Sequence, residues 1–137
     1  MKFEQLSIFI ENRAGRLAEM FEVLDHYNIA IRALSLADTA NFGVLRIVTD
    51  EPRRAEAALK AENITVTLTN IILVQLERDG HGLPGILRVL AESNIEVEYM
   101  YAFMHNSNGS EYIILRVEQE EAAVNVLKTA GYEIINN

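Results

Sequence analysis

Glu11-Asn12-Arg13-Ala14-Gly15-Arg16-Leu17 leads into an apolar helical stretch that closes on Val23-Leu24 and then Asn28-Ile29. Glu77-Arg78-Asp79-Gly80-His81-Gly82-Leu83 runs likewise into Val89-Leu90 and Asn94-Ile95. Glu11 and Glu77, Leu17 and Leu83, Leu24 and Leu90, Ile29 and Ile95 all lie 66 positions apart. A fixed period means one supersecondary unit used twice. In a chain of 137 residues this sets the expected organisation as 1–70 and 71–137, each of a size at which a lone core is marginal.

The segments around the two loops define the unit. Phe3 to Ile10 alternates, with Leu6, Ile8 and Ile10 on one face, and reads as a strand. Leu17, Met20, Phe21 and Leu24 recur at helical spacing, with Asn28 as terminator. Ile29 to Leu36 and Val44 to Val48 read as strands around the turn-forming Asp38–Gly43. Asp50 is the expected cap of a helix over Arg53 to Ala61, with Pro52 in its first turn. Ile64 to Leu68 makes a fourth strand. The second copy repeats the order: strand Ile71 to Leu76, helix on Leu83, Ile86, Leu87 and Leu90, and strand Ile95 to Phe103. Then come an Asn108-Gly109 hairpin, strand Tyr112 to Val117, helix Gln119 to Ala130 capped by Gly131, and strand Tyr132 to Ile135. Each half is therefore βαββαβ. The expected class is α+β, with two ferredoxin-like units, each a four-stranded antiparallel sheet with two helices on one face. Thr67 to Ile72 holds no Pro/Gly/Ser-rich linker, so the two units are expected to dock with their sheets side by side or face to face.

Composition removes several function classes. The net charge is −8, from 20 acidic and 12 basic residues, which argues against nucleic acid or an anionic membrane as partner. Residues 1–70 carry 10 acidic and 8 basic side chains, and residues 71–137 carry 10 and 4. No cysteine is present, so thiolate chemistry and disulfides are excluded. The N-terminus lacks the pattern of a signal peptide, and the expected location is cytoplasmic. Without secretion, the sequons Asn63-Ile64-Thr65 and Asn108-Gly109-Ser110 read as chance.

No catalytic set emerges. His26, His81 and His105 are scattered and lack metal-ligand spacing. His81 alone is kept as a contact for a ligand. Gly80-His81-Gly82-Leu83-Pro84-Gly85 spells G-x-G-x-x-G, with Glu98 following, as in a dinucleotide fingerprint. The first copy has no full counterpart, the chain returns through a hairpin, and one unit is too short for a dinucleotide fold. The reading is set aside, and no cofactor is expected. What both copies share is a strand, a Gly-bearing loop and a helix start. That corner exposes backbone N–H groups in the positive end of a helix dipole and suits a small carboxylate. Arg13, Arg16 and Arg78 lie in the same loops.

These loop-helix stretches, together with the paired βαββαβ pattern, resemble tandem ACT domains across essentially the whole chain. The family's loop reads roughly D-x-P-G-x-L, and an N-I pair opens its second strand. The resemblance implies a regulatory module that binds a small molecule, usually an amino acid, between the first loop-helix of one domain and the second strand of a neighbour. It implies as ligand-binding residues Asn12, Arg13, Ala14, Gly15, Arg16 and Leu17, with Leu34 and Ser35. In the second copy it implies Asp79, Gly80, His81, Gly82 and Leu83, with Met100 and Tyr101. Asn12 and Ala14 replace the family's Asp and Pro, while Arg78, Gly80 and His81 stand at its Asp, Pro and Gly positions. One copy is therefore a candidate for lost binding.

The resulting expectation is a non-catalytic sensor that signals to a partner enzyme and forms a homodimer. A ligand-free adaptor module is the alternative. A small enzyme using Glu77, Asp79 or His81 for proton transfer ranks last, because no second group converges on them.

Overall fold

The computed structural model describes residues 3–11, 13–38, 42–77, 82–102 and 111–135. The elements run β1 (Phe3–Glu11), α1 (Arg16–His26), β2 (Ile31–Asp38), β3 (Phe42–Thr49), α2 (Pro52–Ala61) and β4 (Val66–Gln75). They continue as α3 (Leu83–Glu92), β5 (Val97–Ala102), β6 (Tyr112–Val117), α4 (Glu120–Thr129) and β7 (Ile134–Ile135). The class is α+β. Contacts divide the chain into one unit over Glu4–Thr69 and another from Asn70 onward. In the first unit the strand order is β2-β3-β1-β4. In the second, β7 pairs β4, β4 pairs β6 and β6 pairs β5, every pair antiparallel. The two units thus share one topology.

The expected strands Ile64–Leu68 and Ile71–Leu76 are not separate: Val66–Gln75 forms the single strand β4. Thr69-Asn70 contains neither Pro nor Gly, so nothing in it breaks an extended backbone. The Asn108-Gly109 hairpin and part of the Asp38–Gly43 turn lie outside the described residues.

Alternation fixes the helix-covered face of each sheet. In the first unit Leu6, Ile8, Ile10, Leu45 and Ile47 pack with Met20 and Leu24 of α1 and Ala55, Ala58 and Leu59 of α2. In the second, Ile72, Val74, Ile113, Leu115 and Val117 pack with Ile86, Leu90, Ala123, Val124 and Leu127.

The four helices among the described residues end alike. Asn28, Asn63, Asn94 and Gly131 have φ of 57, 61, 56 and 96°. In each helix the left-handed residue donates its N–H to the carbonyl three back: Asp25, Lys60, Ala91 and Lys128. The next residue donates to the carbonyl five back: Ile29 to Leu24, Ile64 to Leu59, Ile95 to Leu90 and Tyr132 to Leu127. This double bond is the Schellman motif, and its usual companion is an apolar contact between the residues that the second bond joins. Here every one of those four leucines is buried. The sequon at Asn63 is thus a helix terminator.

Asp50 does not cap α2. The N-cap is Glu51, without a side-chain cap bond, and the Thr49 hydroxyl accepts from the Glu51 N–H at 3.1 Å. Asp50 instead accepts from Arg32 Nε at 2.9 Å and from a second guanidinium nitrogen. That hydrogen bond, with the attraction of the two charges, raises the Arg32 pKa above its ordinary value.

The glycines of the G-x-G-x-x-G string that are described have packing roles. Gly82 is the left-handed N-cap of α3. Gly85 faces the Tyr132 hydroxyl, which stands where a Cβ would be. Glu98 forms an ion pair with Arg116 at 3.3 Å.

Two stability outcomes follow. Asn94→Ala forces a Cβ-bearing residue without local hydrogen-bonding capacity into the left-handed region and costs about 1 kcal/mol, whereas Asn94→Gly costs nothing or stabilises. Urea unfolding midpoints distinguish them, and equal losses would refute this role for Asn94. Gly85→Ala lowers stability, because a Cβ in the first turn of α3 displaces the hydroxyl of Tyr132, whose ring packs on the core. Adding Tyr132→Phe restores part of the loss, and a strictly additive double mutant would show no contact between the two.

Candidate functional site: two glycine corners

In the first unit, β1 ends at Glu11 and α1 begins at Arg16, with Gly15 as the N-cap at φ 84°. A residue with a Cβ is disfavoured there, and glycine is not. The Arg13 N–H donates to the Glu11 carbonyl at 2.9 Å, Arg16 N–H to the Arg13 carbonyl at 3.2 Å, and Glu19 N–H to the Gly15 carbonyl at 3.0 Å. The amides of Leu17 and Ala18 have no backbone acceptor among the described residues, and no side chain caps the helix. They are the donors that a helix start leaves unpaired. A methyl group at Gly15 would meet nothing within 4 Å among the described residues, so the corner is open on that side. Leu17 packs against the core and anchors the first turn.

The arginines are already accompanied. Arg13 Nε stands 3.6 Å from Glu11, and an Arg16 guanidinium nitrogen 3.2 Å from Glu19. Exposed pairs of this kind are worth at most about 1 kcal/mol, so an incoming carboxylate can compete for either cation.

In the second unit Gly82 is the N-cap at φ 96° and α3 begins at Leu83. The 66-residue period sets His81 opposite Gly15, but the backbone sets Gly82 there, one residue later. Both helices still end in register, at Asn28 and Asn94. Pro84 stands in the first turn and has no N–H to offer. A methyl group at Gly82 would meet Glu77 Cγ at 3.0 Å, Cδ at 3.1 Å and Oε1 at 3.2 Å. Leu83 packs on the core. Asn12, Asp79, Gly80 and His81, all implied as ligand contacts, lie outside the described residues.

The second-strand residues divide between faces. Leu34 is opposite Ile47 and Leu36 opposite Leu45, both on the helix side, while Ser35 is opposite Arg46 on the other. Met100 is opposite Leu115 on the helix side; Tyr101 is opposite Ile114 on the other and stacks on Tyr99, with centroids 6.4 Å apart. The backbone therefore does not bring Leu34 and Ser35, or Met100 and Tyr101, to one surface. Leu36, which sequence reasoning missed, shares the helix side with Leu34, and the two are 50 and 39% exposed. Apolar alternation beyond Arg32 was the available signal for it.

Shallow grooves occur elsewhere. One of about 470 Å³ is lined by Phe21, Leu24, Asp25 and Ile29, and one of about 370 Å³ by Val89, Glu92, Asn125 and Thr129. Both lie at helix C-terminal ends, and neither borders Gly15 or Gly82. Among the described residues no cluster of acidic or histidine side chains is placed to hold a metal ion, and no helix is long and apolar enough to cross a membrane.

Comparisons with known proteins bear on the fold. A crystal structure of a protein from Bacteroides thetaiotaomicron is 33% identical, with a TM-score of 0.89, over 99% of this chain and 93% of that one. The ligand-free regulatory subunit of aspartate kinase from Thermus thermophilus has the same fold at 18% identity and a TM-score of 0.62, over 96% and 94% of the two chains. Its counterpart from Thermus flavus stands at 19% and 0.59, over 95% and 93%. No curated protein sequence matches the chain. The family described as the ACT domain pair matches residues 1–137, and the chain belongs to it.

Proposed function

We propose that this protein is a non-catalytic regulatory module that binds an amino acid at the first loop-helix corner and passes its occupancy to a partner enzyme. The observation that carries the reading is the open Gly15 corner, with the Leu17 and Ala18 amides at a helix start without an acceptor among the described residues. A ligand carboxylate would take those amides in the positive field of the helix, with Arg13 and Arg16 at the rim. Glu11 and Glu19 offer an ammonium group its counter-charge. Leu34 and Leu36 offer aliphatic surface to a ligand side chain. Membership of the ACT domain pair family supports the regulatory role. The shared fold with two regulatory subunits of aspartate kinase is the analogy behind the partner enzyme. The unpaired edges of β2 and β5 within their units suit closure by a second copy in a symmetric dimer.

A second reading has one observation in its favour. Phe9 and Phe42 are 62 and 48% exposed and lie on the face of the first sheet opposite the helices, Phe9 paired with Val44 and Phe42 with Glu11. Exposed aromatic neighbours of this kind suit a protein partner, as an adaptor without ligand would require.

Calorimetry against the twenty amino acids tests the first reading. At least one binds between micromolar and millimolar concentration, and Gly15→Val weakens it by about tenfold or more, since a β-branched residue cannot hold φ 84° without strain. Phe9→Ser leaves that binding unchanged. Absence of heat with every amino acid, together with loss of partner capture in Phe9→Ser, would favour the adaptor.

A further inference from the structure

We propose that two copies of this chain join through β2 of the first unit, antiparallel about a two-fold axis at Ser35, so that Leu34 of each meets the partner's Leu36. The proposal rests on the dimer proposed above and narrows it to one edge and one register; it does not depend on a bound amino acid.

The edge reads the same in both directions. Ala33-Leu34-Ser35-Leu36-Ala37 is a palindrome, and a strand laid antiparallel on its own copy about Ser35 matches residues equally far from that centre. β2 pairs β3 on one side and has no strand of its unit on the other, so its outer N–H and C=O groups are open to another strand. Leu34 and Leu36 lie opposite Ile47 and Leu45 on the helix side, yet both are exposed. A two-fold axis normal to the sheet keeps the helix sides of the two copies together. Each Leu34 then stands across from the partner's Leu36, and the four leucines cover one another. On the other side Ser35 meets the partner's Ser35, and Ala33 meets the partner's Ala37. These small residues put no bulk between the two edges.

Charge favours the same register. Just outside the palindrome it sets Arg32 beside the partner's Asp38, opposite in sign. Arg32 Nε and a second guanidinium nitrogen hold Asp50, and a guanidinium has more N–H donors than that pair uses. Laid parallel in register, β2 would set arginine against arginine. Laid antiparallel on β5 of another copy in the equivalent register, with Ser35 opposite the partner's Tyr101, it would set Asp38 against the partner's Glu98, like against like. Pairing about a two-fold axis also consumes the edge it forms on, so it stops at two copies.

The test uses the full chain, which has no cysteine, so each introduced thiol reports alone. Residues directly opposite in an antiparallel pair have α-carbons about 4.5 to 5.5 Å apart, within the span of a disulfide. Under copper–phenanthroline oxidation Ser35→Cys therefore links two chains. Ala37→Cys is exposed but about 13 Å along the strands from its own counterpart, and it links slower by about tenfold or more. Leu36→Lys puts a charge into the apolar seam and weakens the dimer by about tenfold or more, read by light scattering over a concentration series. A dimer in which Ser35→Cys links no faster than Ala37→Cys, or in which Leu36→Lys changes nothing, would overturn this register and leave the dimer proposed above standing. A monomer at every concentration would sink both.

Discussion

Each helix of this protein stops by turning one residue into the left-handed region and folding the next amide back onto a buried leucine's carbonyl. That reversal sets where the following strand begins, and so which of its side chains meet the helices. With Leu24, Leu59, Leu90 and Leu127 buried beneath the four reversals, the exit direction of every helix is coupled to the core. Asparagine suffices at three of them and glycine at the fourth. Asparagine is the residue other than glycine that tolerates this backbone with least penalty. The Asn-Ile pair is a device of folding: it makes the reversal after α2 as well as after α1 and α3.

The helix starts are less uniform than the helix ends. Both use a left-handed glycine, and both pack the following leucine on the core, directly at Leu83 and one residue later at Leu17. The differences lie in what surrounds the glycine. Two residues past the first cap stands Leu17, whose amide has no backbone acceptor among the described residues, and two past the second stands Pro84, which has no N–H.

Much of this was legible in the residues. The 66-residue period gave the two βαββαβ units, and alternation of Leu6, Ile8 and Ile10 gave the buried face of β1 correctly. Asn28 and Gly131 were readable as terminators because their backbone preferences are local. The role of Asp50 was not readable, because its partner Arg32 lies on another strand. The continuity of β4 was missed because the boundary between the units, at Thr69 and Asn70, falls inside a strand with no turn residue to mark it. At the corners, counting by the sequence period misplaced the second glycine cap by one residue, since α3 begins one residue later than α1 does. Leu34 with Ser35, and Met100 with Tyr101, were implied by the family resemblance, and the strands send the members of each pair to opposite faces.

Within their units the edge strands β2 and β5 each carry a bulge near the start, between Ile31 and Ala33 in β2 and between Val97 and Tyr99 in β5. The extra residue is charged each time, arginine at 32 and glutamate at 98, and each is tethered to an opposite charge, Asp50 or Arg116. An irregular, ionised stretch is a poor template for another extended chain to zip onto. A fold made by copying risks copying without end, one border laid against the next. Here a reversed pair of charges on each border discourages such runaway stacking while leaving the remainder of the strand free for a chosen companion.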